Sequence, residues 1–329
     1  HVAILEAQWM LFDFGRTLAG YQQSEIVLQI ARLNYCRTEQ MVVFRVSEAY
    51  FNVLETNAAI RVAADNIRRQ EEYLRVAKNM YDAGKVDNEA VLSAQLQVVT
   101  AQQQMVDARA KQRVAVARLN EAVGEAFLQS ACVTDVTEAP QFGTPVETCL
   151  ATAYQSRIEI KIATNVIAKA ETMLEKANAE FRPEIAAEGR YSSVAGSFDK
   201  SFWTGDVGMV WEGFSGGKRV GQKGEAVAEI AKANAKRRGV CDQVTYEVNA
   251  AFAEVHAAEH QIALARAAYA VAKERQRIIL DKFQVGKASP TDVVEAQTQL
   301  TNAEQQNATA VYKVHIALYR LQYAMGTIR

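Results

Sequence analysis

Proline is nearly missing from this chain: four residues in 329, at positions 140, 145, 183 and 290. Long stretches therefore hold no residue that removes a helical N–H and clashes with the preceding turn. Abundant Ala and Gln favour helix across them. Long apolar runs are missing as well; none approaches the roughly 18–20 residues of a membrane-spanning helix. An excess of either charge is absent. The formal net charge is −1 and the basic residues are scattered, which excludes the concentrated basic face of a nucleic-acid binder. Cys36, Cys132, Cys149 and Cys241 do not have the spacing of a metal site. No Ser/His/Asp grouping or phosphate loop stands out, so neither an enzyme nor a bound cofactor or metal is expected.

What is present is a repeat. Shifted by 202 residues, the chain aligns with itself without a gap for more than a hundred positions. Phe12 falls on Phe214, Gly15 on Gly217, Ala49 on Ala251, Val53 on Val255, Gly84-Lys85 on Gly286-Lys287, Leu119 on Leu321 and Gly124 on Gly326. A chance match would drift within a few turns, so this is a structural duplication.

Each copy reads as a helical hairpin. From Arg16 to Ala83 there is no proline, and Val42, Val46, Ala49, Tyr50 and Val53 recur at helical spacing. About 68 residues at 1.5 Å each predict a rod of roughly 100 Å. Lys218 to Val285 reads the same way. Gly84 and Gly286 close these helices, because glycine takes the left-handed closing conformation without a Cβ penalty. Shorter helices return over about Glu89–Val123 and Thr291–Met325, ended by Gly124 and Gly326. Pro290 suits the first turn of the second one. A further helix is predicted from Val146 to about Phe181, so that two half-length helices cover each long one. The Pro140 and Pro145 region reads as a linker outside the rods.

Between the helical blocks the period changes to two. Leu5, Ala7, Trp9 and Leu11 alternate with Glu6, Gln8 and Met10. Ile185, Ala187 and Tyr191 alternate with Glu188, Arg190 and Ser192. In a strand predicted from Phe202 to Phe214, Trp203, Val207, Met209 and Trp211 alternate with Thr204, Asp206, Gly208 and Glu212. Trp9 is the repeat mate of Trp211. A soluble hairpin with one buried face would alternate in the same way. Tryptophans about eight residues apart on the apolar face match the height of a membrane band and favour a barrel wall with lipid outside and water inside.

Long helix, glycine tip, return helix, linker, helix, strand pair, then the same again: this order resembles the TolC-like outer-membrane efflux and secretion channels. Leu11-Phe12-Asp13-Phe14-Gly15-Arg16 and Phe214-Ser215-Gly216-Gly217-Lys218-Arg219 are similar to the family's strand-to-helix junctions. Tyr81 to Ala94 and Phe283 to Ala296 are similar to its periplasmic hairpin ends. The resemblance implies a mostly α fold carrying a membrane β-barrel: a homotrimer with an α-helical tunnel capped by a twelve-stranded barrel, four strands from each protomer. It divides the chain into a barrel strand (1–14), a hairpin (15–124), a linker (125–145), a helix (146–182), a strand pair (183–214) and a second hairpin (215–329). Shifting residues 145–195 back by 202 places their first copy before residue 1, so a first helix and strand, and any signal peptide or lipidated cysteine, are expected in a longer protein.

The same resemblance implies an exit duct in the outer membrane of a Gram-negative bacterium, with a long periplasmic extension. Its partners would be an inner-membrane transporter and a periplasmic adaptor meeting the tips at Gly84, Lys85, Gly286 and Lys287. Trp9, Trp203, Trp211 and Tyr191 would form the lipid-facing aromatic belt. Asp292 and Glu295, one turn apart on a helix face, match acidic rings at the tunnel's closed end, and crowded like charges would raise their titration. The reading from residues alone is that of ordinary acids at a helix start. The interhelical hydrogen bonds of the family's lock are not expected, since Ala90 stands where an Asp would and Phe283 where a Tyr would. Cys132 and Cys149 bracket the linker, and an oxidising periplasm would permit a bridge between them. His256-Ala-Ala-Glu259-His260 has the spacing of a helical zinc motif. Its repeat mates are Leu54, Glu55, Thr56, Asn57 and Ala58, and no third ligand is evident. The rival to a channel is a soluble or surface-anchored coiled-coil structural protein with a β cap.

Overall fold

The computed structural model describes residues 2–124, 133–136, 138–194 and 200–328. In chain order the elements are β1 (Val2–Phe12), α1 (Arg16–Asp82), α2 (Asn88–Val123), α3 (Val146–Ser156), α4 (Ile158–Ala179), β2 (Glu184–Val194), β3 (Lys200–Val210), α5 (Lys218–Gln284) and α6 (Pro290–Met325). They form two compact units, one of His1–Thr38 with Arg157–Gln243, the other of Glu39–Ser156 with Val244–Arg329.

In the first unit an antiparallel sheet has the order β1-β2-β3. Its register confirms the alternation. Leu5 pairs with Tyr191 and Tyr191 with Trp203, while Trp9 pairs with Ala187 and Ala187 with Val207, so these residues share one face. Glu6, Arg190 and Thr204 line up on the other, followed by Gln8, Glu188 and Asp206. Arg190 forms an ion pair with Glu6 across that polar face. β3 ends four residues earlier than the predicted Phe214, at Val210, whose partner is Glu184 at the start of β2. Pro183 precedes Glu184 and has no N–H for a ladder bond. Trp211 therefore follows the strand rather than lying in it, and its Nε1 donates to the Phe181 carbonyl at 3.3 Å.

The strand-to-helix junctions turn through left-handed residues, Phe14 (φ 54°) and Gly15 (φ 94°) before α1, Gly216 (φ 61°) and Gly217 (φ 86°) before α5. At the first, Asp13 accepts from Thr17 N at 2.7 Å and Gly15 N at 3.2 Å, taking up helix-start donors. At the second, Arg219 donates to the Glu212 carbonyl and to its carboxylate at 3.1 Å.

The single helix expected from Val146 to about Phe181 is two, α3 and α4, separated at Arg157 (φ −59°, ψ 123°). Residues two apart in a helix do not face each other. One extended residue brings the buried Arg157 guanidinium Nε within 3.0 Å of Glu159, whose other oxygen lies 3.0 Å from Arg37 Nε. Neither proline nor glycine marks the break.

The second unit is an all-helical packing. Ala63, Asn66, Gln70, Tyr73, Ala77 and Met80 are buried along α1 at alternating spacings of three and four, the seam of a coiled coil. Ala49 and Val53 pack on Ala115 and Leu119 of α2. Phe51, Leu54 and Ala58 pack on Tyr312 of α6. A polar layer interrupts the seam, where Asn66 donates to Gln104 at 3.1 Å and accepts from Gln70 at 3.2 Å and Thr301 at 3.0 Å. The described linker residues are tied to the rods by hydrogen bonds. Tyr50 donates to the Thr134 carbonyl at 2.6 Å, Tyr312 to Asp135 at 2.7 Å, and Phe142 N to Glu259 at 2.8 Å.

Candidate functional site

Both tips are built the same way from the backbone. Gly84 (φ 69°) and Gly286 (φ 74°) adopt the left-handed conformation. Gly84 N donates to the Tyr81 carbonyl at 2.8 Å and Lys85 N to Met80 at 2.9 Å; Gly286 N donates to Phe283 at 2.9 Å and Lys287 N to Lys282 at 2.8 Å. These bond pairs satisfy carbonyls that a helix end leaves open. Gly84, Lys85, Gly286 and Lys287 are all exposed.

A four-helix cluster lies immediately behind the tips. Tyr73, Ala77 and Met80 of α1, Ala94 of α2, Phe283 of α5 and Val293 of α6 are buried together. The Tyr73 and Phe283 rings lie 5.5 Å apart. Complete burial of side chains of this size contributes about 2–3 kcal/mol each. The Tyr73 hydroxyl is buried without a partner among the described residues, and burial pushes its pKa up to about 12. The side chains of Ala90, fully buried, and Phe283 carry no polar atom; at this cluster the two hairpins meet through apolar contact.

The acids of the second tip have specific partners. Ser289 caps α6: its hydroxyl accepts from Asp292 N at 3.2 Å, and the Asp292 carboxylate accepts from Ser289 N at 2.9 Å and Ser289 Oγ at 2.8 Å. Asp292 is thus the reciprocal member of a capping box. The Ser289 backbone N–H, the Ser289 hydroxyl and the charge of Arg275 hold its carboxyl below the usual carboxylate range. Within one chain, donors rather than like charges surround it. Glu295 accepts from Arg275 Nη2 at 3.2 Å and from Gln299 at 2.9 Å, and Arg275 also donates to Gln299. Both acids are exposed.

Periodicity could not reveal Arg275. It lies twenty residues before Glu295, across the turn, and a helical wheel treats α5 and α6 separately. The usable signal is the hairpin itself, since two antiparallel helices joined by a short turn bring residues of α5 and α6 side by side.

The aromatic residues of the sheet lie as follows. Trp9 and Trp203 are each 75% exposed on the apolar face, and Tyr191 lies 4.6 Å from the Trp203 ring. Trp211 is exposed beyond β3. Leu5, Val207 and Met209 complete an apolar surface that nothing in the described residues covers.

Other candidates resolve differently. Glu259 of the zinc-like motif accepts the Phe142 amide and lies 3.7 Å from His256 Nδ1, while Phe252 packs on the His256 ring. Among the described residues no group of His, Cys, Asp and Glu is arranged to hold a metal, and no helix is long and apolar enough to cross a membrane. Cys132 lies outside the described residues, and with it the expected bridge to Cys149. Cys149 is buried, and that burial raises its thiol pKa. A groove of about 1270 Å³ along α1 and α2 is open to solvent and lined by mixed charge, including Glu55, whose partial burial raises its pKa.

Comparison with known proteins joins these features. The family described as Outer membrane efflux protein matches residues 1–125 and 150–327. The outer membrane efflux protein BepC of Brucella suis is 22% identical over 324 residues, covering 98% of this chain and 71% of BepC. The solved structure of CusC superposes with a TM-score of 0.89 at 16% identity, covering 99% of this chain and 77% of CusC. That of the outer membrane protein VceC of Vibrio cholerae gives 0.85 at 16%, covering 99% and 86%. At these identities the structures establish a shared fold.

Proposed function

The chain belongs to the outer membrane efflux protein family, and we propose that it is one protomer of a trimeric export duct, the exit channel of a tripartite efflux pump or type I secretion system. The observation that carries the reading is the sheet. Leu5, Trp9, Trp203, Val207 and Met209 are 65–75% exposed on one face, opposite a face carrying Glu6, Glu188, Arg190 and Asp206. Such a sheet is stable with lipid on the first face and water on the second. β1 and β3 also have open edges in the order β1-β2-β3, and an open edge is not tolerated in hydrocarbon. Closure by further strands, including those of other copies, answers both demands.

In this reading the tips at Gly84, Lys85, Gly286 and Lys287 point into the periplasm and receive the helical hairpins of an adaptor, which links the duct to an inner-membrane transporter. Asp292 and Glu295 from three protomers form acidic rings at the closed end. Charged rings set ion preference in narrow passages.

The test is biochemical. The full-length protein should fractionate with the outer membrane, run as a trimer in mild detergent and give ion conductance in planar bilayers. A detergent-independent monomer without conductance would overturn the channel reading and leave a coiled-coil structural protein.

A further inference from the structure

The tip carries a charge that the acidic-ring reading leaves out. Arg275 of α5 reaches across the hairpin to Glu295 at 3.2 Å and also donates to Gln299, which itself donates to Glu295 at 2.9 Å. The three side chains form a closed triangle on an exposed face of α5 and α6. We propose that Arg275 is a selectivity-determining residue of this channel: it offsets half of the carboxylate charge at the tip and fixes where the Glu295 charge sits.

The inference rests on the reading that Asp292 and Glu295 line the passage. In a trimer, three guanidinium groups would reduce six negative charges to a net three. An arginine stays protonated at every physiological pH, so the offset is permanent. The forked guanidinium and Gln299 also remove rotamer freedom from Glu295, holding the acid toward α5. The position has no structural need for a charge. Its repeat mate is Tyr73, which is buried in the tip cluster, whereas Arg275 is 42% exposed and lies outside that cluster.

Two outcomes follow for multivalent cations. With Arg275 in place their binding at the periplasmic mouth is weakened, because a like charge stands beside the carboxylates. Without it, Glu295 is freed and the full acidic charge faces the passage.

The experiment measures reversal potential in a salt gradient and block by a trivalent hexammine cation, on the purified full-length trimer. The proteins are wild type, Arg275→Gln, Arg275→Lys and the double variant Asp292→Asn with Glu295→Gln. Arg275→Gln is expected to move the reversal potential further toward the cation limit and to tighten block by about tenfold, the effect of a Coulomb energy near 1.4 kcal/mol. Arg275→Lys keeps the charge and should stay within about twofold of wild type by the same Coulomb argument. The double acid variant should lose most cation preference. An unchanged double variant would refute the ring reading itself. If the double variant responds while Arg275→Gln matches wild type or shifts toward anions, the ring stands and the role of Arg275 falls. The exposed site predicts normal trimer yield, and Arg275→Met supplies an uncharged second variant with a different stem.

Discussion

The two helical hairpins coincide to the residue, and the strands leading into them do not. Arg16–Asp82 and Asn88–Val123 become Lys218–Gln284 and Pro290–Met325 when 202 is added, with left-handed glycines closing each of the four helices at the same offset. β1 on the same shift would run to Phe214, yet β3 stops at Val210. Helix ends are set by local bonds, a glycine or a capping side chain within five residues. Strand ends are set by a partner, and β2 gives out at Glu184. The duplication therefore persists where structure is local and lapses where it depends on pairing.

A second contrast lies at the tips, where identical backbones bury different mates. Tyr73 is buried and its mate Arg275 is half-exposed; Phe283 is buried and its mate Tyr81 is 46% exposed. Likewise Ala90 is fully buried while its mate Asp292 is exposed and completes a capping box. The hairpins are equivalent as folds and inequivalent as neighbours, so one tip supplies packing and the other also supplies charge.

The largest expected effect tests what the tips share. Replacing Gly84 or Gly286 by a bulky residue puts a Cβ into a left-handed conformation that only glycine adopts freely and covers the surface proposed to dock an adaptor. Export in cells should be lost from either variant while the trimer still forms. Normal export from one of them would show that the tips are functionally unequal.

Next comes the buried pair. Phe283→Ala should cost about 3–5 kcal/mol, as for large-to-small changes in a packed core, while Tyr81→Ala at the mate position should stay within about 1 kcal/mol, the range of surface substitutions. Denaturant midpoints of the two variants would settle it, and equal losses would break the contrast.

Caps give smaller differences. Ser289→Ala should cost about 1 kcal/mol and Asp87→Ala less, since Asp87 makes one long bond of 3.4 Å to Ala90 N and receives none in return. Because the folded Asp292 carboxyl lies below its ordinary value of 3.8, its contribution is present above that pH and is lost as pH falls through the lowered value. A melting series from pH 6 to pH 2 should show this acid-side loss shrink in Ser289→Ala.

The smallest effect belongs to the junctions. Phe14 holds a left-handed φ where its mate is Gly216. Phe14→Gly relieves about 1 kcal/mol of backbone strain but removes the ring packed 4.6 Å from Phe12. The net change in thermal stability should be close to zero, whereas Gly216→Phe should be destabilising. Equal melting shifts from the two variants would show that the junctions are equivalent after all.

These contrasts mark how far the residues could be read directly. The hairpin lengths, both tip turns, Pro290 at a helix start and the two-faced strands were legible, because each follows from backbone bonds or alternation within a few residues, whereas the Ser289 cap emerged only in the fold. The spacing of Asp292 and Glu295 also put them on one helix face. The sequence reading could not find Arg275, and it carried one helix through Arg157 and one strand through Trp211.

Sequence alone thus determined a duplicated helical hairpin with glycine tips and a sheet of two unlike faces, since helix propensity, left-handed glycine and period-two alternation need no distant partner. Tertiary structure decided which of two repeat mates is buried, where β3 ends, why Arg157 leaves the helix and which cation meets Glu295. Each of these depends on a side chain or strand brought near by folding. Burial and charge pairing are properties of a neighbourhood in space, and the same repeat written twice acquired two different neighbourhoods.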